Sequence, residues 1–282
     1  MRAGFALLGL VVAGVLAGTG AAAKGGPSPG VLFGGEGIAA LDGAVRYVAQ
    51  PTGPTTTVTA LRARGAVARQ ATITGAFGVP FVAFDGSKAG LARNGRTLVL
   101  STHPPEPSPK AMSRFAVLST KNLRLREVIE LRGSWSFDAL SPDGRKLYLV
   151  EYVAGRDARY RVRVYDLERG KLVREAVVDP RQGGRSMSGE PVTRLEGPGG
   201  VWAYTLYRKP GGIPFIHALN TRTARALCIE LPWRGNQDAL WAVRMSLRPD
   251  GRTLELRQPN VGRLALVDTT RFVVHAHAQP RS

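Results

Sequence analysis

Short apolar runs separated by turn residues make up the chain from Val31 onward. The runs are rich in β-branched and aromatic residues, and Gly, Pro, Asn and Asp fill the gaps between them. No long segment keeps the 3.6-residue period of an amphipathic helix. Residues 137–150 show the pattern most clearly, because Pro142-Asp143-Gly144 lies between two apolar runs. The hydrophobic pattern therefore predicts an all-β protein in which strands alternate with tight turns.

This strand–turn–strand pattern occurs five times, at intervals of roughly fifty residues. One turn glycine marks each unit, namely Gly43, Gly95, Gly144, Gly200 and Gly251. The Pro-Asp-Gly and Asn-Gly sequences at several of these turns suit positive backbone φ angles, which glycine adopts without steric cost. Four strands in each unit, repeated five times, predict a β-propeller with five four-stranded blades.

The strands within each unit are predicted from the apolar runs that follow its turn. The second strands are predicted at residues 44–48, 97–100, 147–150, 201–204 and 253–256. After a variable loop, the third strands are predicted at residues 57–61, 115–120, 162–167, 215–221 and 264–269. Each sheet buries its faces only against its neighbours, so we expect the ring to close. Val31-Leu32-Phe33 lies outside the five units, and we expect it to add an edge strand to the last blade.

The third unit carries a resemblance to a known family. Residues 140–149, which contain Ser141-Pro142-Asp143-Gly144, are followed by residues 164–172, and the fifth unit repeats the pattern at 246–254. This combination resembles the blade of secreted bacterial propellers of the YncE-like and TolB-like kind. The chain differs from those families because three units lack Pro-Asp-Gly and its length is too short for seven blades. The resemblance implies an extracytoplasmic binding or scaffolding propeller and no particular ligand.

The N-terminal segment predicts export from the cytoplasm. Arg2, a short apolar run and Ala21-Ala22-Ala23 form the pattern of a secretory signal over residues 1–23. An uncleaved membrane anchor is the alternative. Residues 24–30 read as a flexible linker, and residues 31–282 as a single propeller domain. We expect the mature chain to be a secreted or extracytoplasmic monomer, either periplasmic or at the cell surface.

Charge and cysteine content narrow the classes of partner. The net charge is +18 with 39 Lys+Arg residues, but the basic residues are scattered and form no long run. Such a surface supports weak, non-specific attraction to polyanions and predicts no specific nucleic-acid site. The single cysteine, Cys228, lies in an apolar run and is interpreted as a buried small hydrophobe.

No sequence motif supports a metal, a cofactor or a nucleophile. His275 and His277 alternate on one predicted strand face, but no acidic or Cys partner is close in sequence, and solvated terminal histidines are the simpler interpretation. Nucleophile elbows, phosphate-binding loops and haem-attachment motifs are absent from the sequence. We therefore expect no cofactor and no metal site, and we assign no catalytic residue.

Acidic residues lie near the predicted blade entrances, at Glu36, Asp138, Glu190 and Asp238. The first strand of each blade lines the central channel in propellers, so these carboxylates are candidates to converge near one mouth. Convergence would suit a cation, a sugar or acid–base chemistry. The alternative is that they are ordinary surface acids or ion-pair partners of nearby arginines.

Aromatic and arginine residues are the second group of candidates. The loops between second and third strands and those between blades share one face of a propeller, which we call the long-loop face. Binding residues concentrate in such loops, and this face is predicted to carry Trp135, Trp233, Arg181 and Arg185. Packing of both Trp side chains between blades is the alternative.

These observations favour a non-enzymatic propeller that binds a protein or glycan partner through its long-loop face. The main alternative is a carbohydrate-active enzyme that uses carboxylates at the channel mouth. A weaker alternative is a surface protein that binds polyanions through net charge.

Overall fold

The computed structural model describes residues 29–106, 108–153, 159–182 and 186–281. Twenty-one strands cover this part of the chain, and the only helices in it are short 3-10 turns. Those turns are Ala63–Gly65, Pro180–Gln182, Pro198–Gly200, Asp238–Ala242 and Pro259–Val261. None of the helices described here is long and apolar enough to cross a membrane. The predicted signal and most of the predicted linker lie outside the described residues.

Nineteen of the described strands form five antiparallel sheets in chain order, and the other two form a small separate sheet, so the fold is an all-β propeller. Blade 1 contains β2 (Ile38–Ala39), β3 (Val45–Thr52), β4 (Thr55–Arg62) and β5 (Val67–Thr74). Blade 2 contains β7 (Thr97–Ser101), β8 (Met112–Ser119) and β9 (Leu125–Arg132). Blade 3 contains β10 (Ser134–Leu140), β11 (Lys146–Val153), β12 (Arg159–Asp166) and β13 (Lys171–Val177). Blade 4 contains β14 (Glu190–Glu196), β15 (Trp202–Arg208), β16 (Phe215–Asn220) and β17 (Arg225–Glu230). Blade 5 contains β18 (Arg244–Leu247), β19 (Thr253–Gln258), β20 (Gly262–Asp268) and β21 (Val273–Ala276).

The turn residues and the strands after them confirm the predicted repeat. All five turn glycines have positive φ angles, between 66° and 71°. Each is followed by a strand that overlaps the predicted second strand of its unit. Local turn chemistry and apolar alternation are sufficient here, because each hairpin is formed by neighbouring segments of the chain.

Blade 2 differs from the predicted four strands, because it has three. In place of a first, inner strand, the segment before β7 forms a single β-bridge with it, between Leu91 and Leu98. The preceding segment runs close to β7, and a Cβ atom at Gly90 would lie 2.4 Å from the carbonyl oxygen of Val99. This close approach and a φ of +108° at Gly90 interrupt the regular extended conformation that a full inner strand requires.

The predicted edge strand at the N terminus pairs with a different partner from the one expected. β1 (Val31–Leu32) pairs with β6 (Val79–Pro80), the short strand that precedes blade 2, and not with the last blade. Gly78 next to β6 forms a bridge with Ser101 of β7, which ties this small sheet to blade 2. The expected contact of Val31-Leu32-Phe33 with the last blade is therefore wrong.

Four hydrophobic clusters join consecutive blades and form the core. One cluster lies between blades 1 and 2, and the others lie between blades 2 and 3, 3 and 4, and 4 and 5. The largest completely buried side chains include Tyr148, Tyr160 and Tyr204. Each sheet thus buries apolar side chains against its neighbours along the chain, as a propeller requires.

The first and last blades present polar outer faces. Among the described residues, no hydrophobic cluster, hydrogen bond or ion pair joins blade 1 to blade 5. On blade 5, Glu255 accepts hydrogen bonds from Arg248, Arg257 and Arg263 at 3.2, 2.7 and 3.3 Å. Blade 1 places Gln50 opposite Thr57 on its outer face. Polar side chains therefore lie on the outer faces of the two end blades.

Candidate binding site on the long-loop face

Two of the predicted acidic residues meet at one arginine. Glu190 begins β14, Arg208 ends β15, and the two residues are paired directly across the sheet. The Arg208 guanidinium donates one hydrogen bond through Nε to Glu190 and another through Nη1 to Asp238. Asp238 opens the 3-10 turn before blade 5. Arg208 therefore joins blade 4 to the entrance of blade 5 at the long-loop face.

An exposed aromatic pair lies beside this arginine. The guanidinium carbon of Arg208 is 4.8 Å from the ring centroid of Trp241, within cation–π range. Phe84 meets the Trp241 ring edge-to-face at 5.5 Å. Trp241 is 36% exposed and Phe84 is 45% exposed. We refer to Phe84, Glu190, Arg208, Asp238 and Trp241 as the Arg208 cluster.

Backbone hydrogen bonds hold Phe84 against blade 4, at a β-bulge of that blade. The register between β14 and β15 shifts between Pro191 and Thr193. At this shift, the Phe84 amide donates to the Pro191 carbonyl at 2.9 Å, and the Asp85 amide donates to the Val192 carbonyl at 3.2 Å. The segment before blade 2 is thereby bonded to the inner strand of blade 4. Bulges often re-aim backbone groups in this way.

Gln237 fixes the other side of the cluster. Its side-chain amide donates to the carbonyls of Lys209 at 2.9 Å and Gly212 at 2.8 Å, and its oxygen accepts from the Lys209 amide at 2.6 Å. The side chain is nearly buried, at 8% exposure. These three bonds anchor the 3-10 turn that carries Asp238 and Trp241 to the loop that follows Arg208. The cluster is thus preorganised by backbone contacts on both sides.

A cleft extends beside the cluster on the same loop. It has a volume of about 290 Å³, and Ser186, Lys209, Ile213 and Glu230 are among the residues that line it. A second cleft of about 280 Å³ shares Ile213 and Glu230 and continues to Arg234. Ile213 is 37% exposed between the two clefts. The long-loop face therefore combines exposed apolar side chains with concave surface.

Asp138 lies in the interior and not at an open mouth. Its side chain is 5% exposed, and it accepts a 2.7 Å hydrogen bond from Nη1 of Arg194, whose side chain is 6% exposed. The same guanidinium donates to the Asp138 carbonyl at 3.1 Å and to Thr205 Oγ1 at 2.9 Å. This buried ion pair connects the inner strands of blades 3 and 4.

The cavity next to Asp138 is too small for a substrate. Its volume is about 10 Å³, near that of one water molecule, and Ser136, Tyr160 and Tyr207 line it. Burial raises the pKa of Tyr160 and of Tyr207 well above that of a free phenol. Burial also lowers the pKa of nearby His217 to about 4. The surroundings of Asp138 therefore serve packing between the blades.

Glu36 is separate from the other acidic candidates. It is exposed and forms an ion pair with Lys88, with 2.8 Å between Nζ and Oε2. The hydrogen bond from Lys88 lowers the pKa of Glu36. Of the four acidic candidates, the structure brings together only Glu190 and Asp238.

Both predicted tryptophans are buried between blades. Trp135 is 4% exposed, belongs to the cluster between blades 2 and 3, and donates through Nε1 to the Arg132 carbonyl at 2.9 Å. Trp233 is 3% exposed, belongs to the cluster between blades 4 and 5, and donates to the Ala278 carbonyl at 2.9 Å. Both rings are almost completely buried, so the packing alternative describes them, and only Trp233 borders one of the clefts.

The two arginine candidates have different outcomes. Arg181 holds the buried Asp179 carboxylate through a 2.7 Å hydrogen bond from Nη2, and the same nitrogen donates to the Cys228 carbonyl at 3.0 Å. These hydrogen bonds of Arg181 stabilise the turn after blade 3 and occupy part of its guanidinium. Arg185 lies outside the described residues. Cys228 is buried, and burial raises the pKa of its thiol to about 12, as expected for a small hydrophobe.

Sequence reasoning did not single out Arg208, Trp241 or Phe84. Arg208 is one of many arginines, Trp241 lies in no repeated motif, and Phe84 lies in the segment before the irregular blade 2. The one nearby residue that the sequence marked as a candidate is Asp238, three residues before Trp241. Only the tertiary pairing brings these side chains together.

Comparisons with known proteins show the fold and no family. No family model matches the sequence, and no similar curated protein was found. Among solved structures, the dihydro-heme d1 dehydrogenase NirN is 13% identical with a TM-score of 0.51, over 84% of this chain and 44% of NirN. A putative TolB from Agrobacterium tumefaciens is 14% identical with a TM-score of 0.43, over 87% of this chain and 80% of that protein. The β-propeller domain of Cps50 (Swd1) from Myceliophteria thermophila is 12% identical with a TM-score of 0.42, over 83% of this chain and 64% of that domain. The similarity of this chain to solved structures is therefore a similarity of fold alone.

Proposed function

We propose that this protein is a non-enzymatic propeller that binds a protein partner through the Arg208 cluster on its long-loop face. The observation that carries the proposal is the exposed Phe84–Trp241 pair, which is held beside a guanidinium whose carboxylate partners are already in place. Trp and Arg are enriched among the residues that dominate binding energy at protein interfaces. A central apolar pair with a satisfied polar rim is the usual anatomy of such an interface.

The shape of the aromatic pair favours a protein over a sugar. Arg208 lies over one face of the Trp241 ring, and Phe84 meets that ring at an interplanar angle of 87°. The accessible surface is therefore stepped, and it is not a flat aromatic platform on which a sugar ring would stack. Exposed Ile213 and the adjoining clefts extend this stepped surface along the same loops. A peptide or protein surface with protruding side chains fits such a contour.

The carboxylates support binding more than catalysis. A glycoside hydrolase uses two carboxyl groups around its substrate, one of which is a proton donor. Here both Glu190 and Asp238 accept hydrogen bonds from Arg208. Asp138 adjoins a cavity of only about 10 Å³. The carbohydrate-active alternative therefore has less support than the binding function.

The setting of the proposed function rests on the N-terminal sequence. Residues 1–23 carry the pattern of a secretory signal, so the proposal places the mature chain outside the cytoplasm, as a monomer. Cleavage of the signal and the oligomeric state stay predictions.

The test compares the wild-type chain with F84A/W241A. Secreted proteins retained by the immobilised wild-type mature chain are identified, and the leading partner is purified and titrated by calorimetry. The double substitution should weaken binding at least about tenfold, because truncated central aromatics typically cost 2 kcal/mol or more. The control V67A/M112A removes two other exposed apolar side chains, 60% and 45% exposed, and should leave affinity within about twofold.

Three results would contradict the proposal. One is equal loss of binding in both double variants. Another is saturable binding on a glycan array that F84A/W241A abolishes, which would identify a glycan ligand. The last is hydrolysis of a glycoside by the wild-type chain, which would support the enzymatic alternative.

A further inference from the structure

A second concave surface lies between blades 2 and 3, on the face opposite the long loops. It has a volume of about 650 Å³, larger than either cleft beside the Arg208 cluster. Its lining includes Arg96, Arg124, Arg126, Arg145, Asn94 and Asn122. We call it the turn-face cleft, because the tight turns of blades 2 and 3 form its base. Its volume is within the usual range for a small-molecule site.

Direct contacts between the two turns build the base of the cleft. The Asn94 amide donates to the Pro142 carbonyl at 3.0 Å, and the Asn94 side chain donates to the Asp143 carbonyl at 2.7 Å. Gly144 has a φ of +71°, and a Cβ atom there would lie 2.7 Å from Thr97 Oγ1. Glycine at this position therefore allows the blade 3 turn to lie directly against blade 2.

Backbone pairing brings arginines from separate turns to the cleft. The Thr120 amide donates to the Arg96 carbonyl at 3.1 Å, and the Ser119 amide donates to the Arg124 carbonyl at 2.9 Å. The register of β8 with β9 shifts at this point, because Val117 pairs with Glu127 and Leu118 pairs with Leu125. Arg126 has no partner on β8 and is therefore the bulged residue. Such a bulge re-aims the side chain that it carries.

The charge in the cleft is not balanced by its own carboxylates. Arg145 pairs with Glu168 at 3.1 Å and approaches Asp143 at 3.9 Å. Arg96, Arg124 and Arg126 are exposed and take part in none of the ion pairs formed by the described residues. Three guanidinium groups with unused donors therefore line one concave surface.

We propose that the turn-face cleft binds a small, multiply charged oxyanion, namely a sugar that carries sulfate or phosphate groups. A guanidinium presents a planar fork of N–H donors that matches the oxygens of these groups. Because the unpaired arginines come from different turns, they can contact several sulfate or phosphate groups on one molecule. A single small anion could contact fewer of them. Because the cleft is on the opposite face, this site is independent of the proposed protein interface.

Calorimetry with two defined probes tests the site. A trisulfated heparin disaccharide and fructose 1,6-bisphosphate, two sugars of similar charge, are titrated into the mature chain at an ionic strength of about 0.15 M, where the Debye length is about 8 Å. The stronger of the two responses shows whether sulfate or phosphate is preferred. The variant R96Q/R124Q/R126Q should bind the preferred probe at least about tenfold more weakly, because each lost charge-assisted contact contributes substantially.

The matched control removes the same charge elsewhere. R62Q/R69Q/R225Q also replaces three exposed arginines that form no ion pair among the described residues, and its affinity should stay within about twofold of the wild-type value. Urea unfolding of both variants checks that the fold is retained. Equal weakening in the control would show that net charge alone attracts the probes, and that result overturns the proposal. Failure of the wild-type chain to bind either probe also overturns it.

Discussion

Two arginines of blade 4 each hold an acidic side chain from outside that blade, one in the interior and one at the surface. Arg194 and Asp138 have side chains that are 6% and 5% exposed. Arg208 is 16% exposed, but its partners Glu190 and Asp238 are 38% and 68% exposed. The chemistry of the two arrangements is the same, and the amount of water around them differs.

This difference determines what each arrangement contributes. Removing one partner of a buried pair strands a charge in the interior and typically costs about 3–5 kcal/mol of stability. An exposed pair contributes roughly 0–1 kcal/mol, because water and salt screen the charges. The Arg194 pair therefore fixes blade 3 against blade 4. We therefore expect substitutions in the Arg208 cluster to have little effect on folding, which agrees with its proposed role in binding.

The largest effect is expected for Arg194→Met. The substitution leaves the Asp138 carboxylate and Thr205 without their guanidinium partner, so the free energy of unfolding should fall by about 3–5 kcal/mol. Urea denaturation measures this loss. The double variant D138N/R194M should recover part of it, because no buried charge is stranded. A loss under about 1 kcal/mol for R194M would show that the buried pair behaves like a surface pair.

An intermediate effect is expected from the titration of His217, which lies near the buried pair. Burial lowers the pKa of His217 to about 4 in the folded protein, against an ordinary value of 6.5 in the unfolded chain. The unfolded chain therefore binds more protons below pH 6.5, and the stabilising contribution, complete above that pH, is lost as the pH falls toward 4. Between pH 7 and pH 5 the loss should be about 2 kcal/mol.

His217→Gln tests this assignment, because glutamine does not titrate. Urea unfolding of the variant should depend less on pH between 7 and 5 than that of the wild-type chain, whatever its stability at pH 7. The same pH dependence in both proteins would mean that another group is responsible.

The smallest effect is expected for Arg208→Gln. Its two carboxylate partners are accessible to water and can be hydrated when the guanidinium is removed, so stability should change by no more than about 1 kcal/mol. The comparison with R194M under identical conditions measures the effect of burial directly. Comparable destabilisation in the two variants would mean that the Arg208 cluster is a structural element and would weaken its assignment as a binding surface.

The predicted and unpredicted features differ in the distance along the chain over which they form. The turn at Pro142-Asp143-Gly144 and the strands beside it were predictable, because turn residues and apolar alternation act over about ten residues. The partner of β1 was predicted incorrectly as the last blade, whereas β1 pairs with β6. A short apolar segment such as Val31-Leu32 is compatible with any free strand edge, so its partner cannot be predicted from its sequence. The Arg208 cluster was missed for a related reason, because Phe84 and Trp241 come from segments on opposite sides of three blades.

The sequence by itself determined the repeat of turn and strand, the all-β class and the number of blades, because hydrogen-bonded hairpins depend on local residue order. The tertiary structure decided which charged side chains are buried and which meet a partner. In the sequence, Asp138 and Asp238 are both acidic residues near a predicted blade entrance. In the structure, Asp138 lies against Arg194 in the interior, whereas Asp238 pairs with Arg208 and is exposed to solvent. Burial depends on how whole blades pack, and blade packing joins residues that are far apart in the chain.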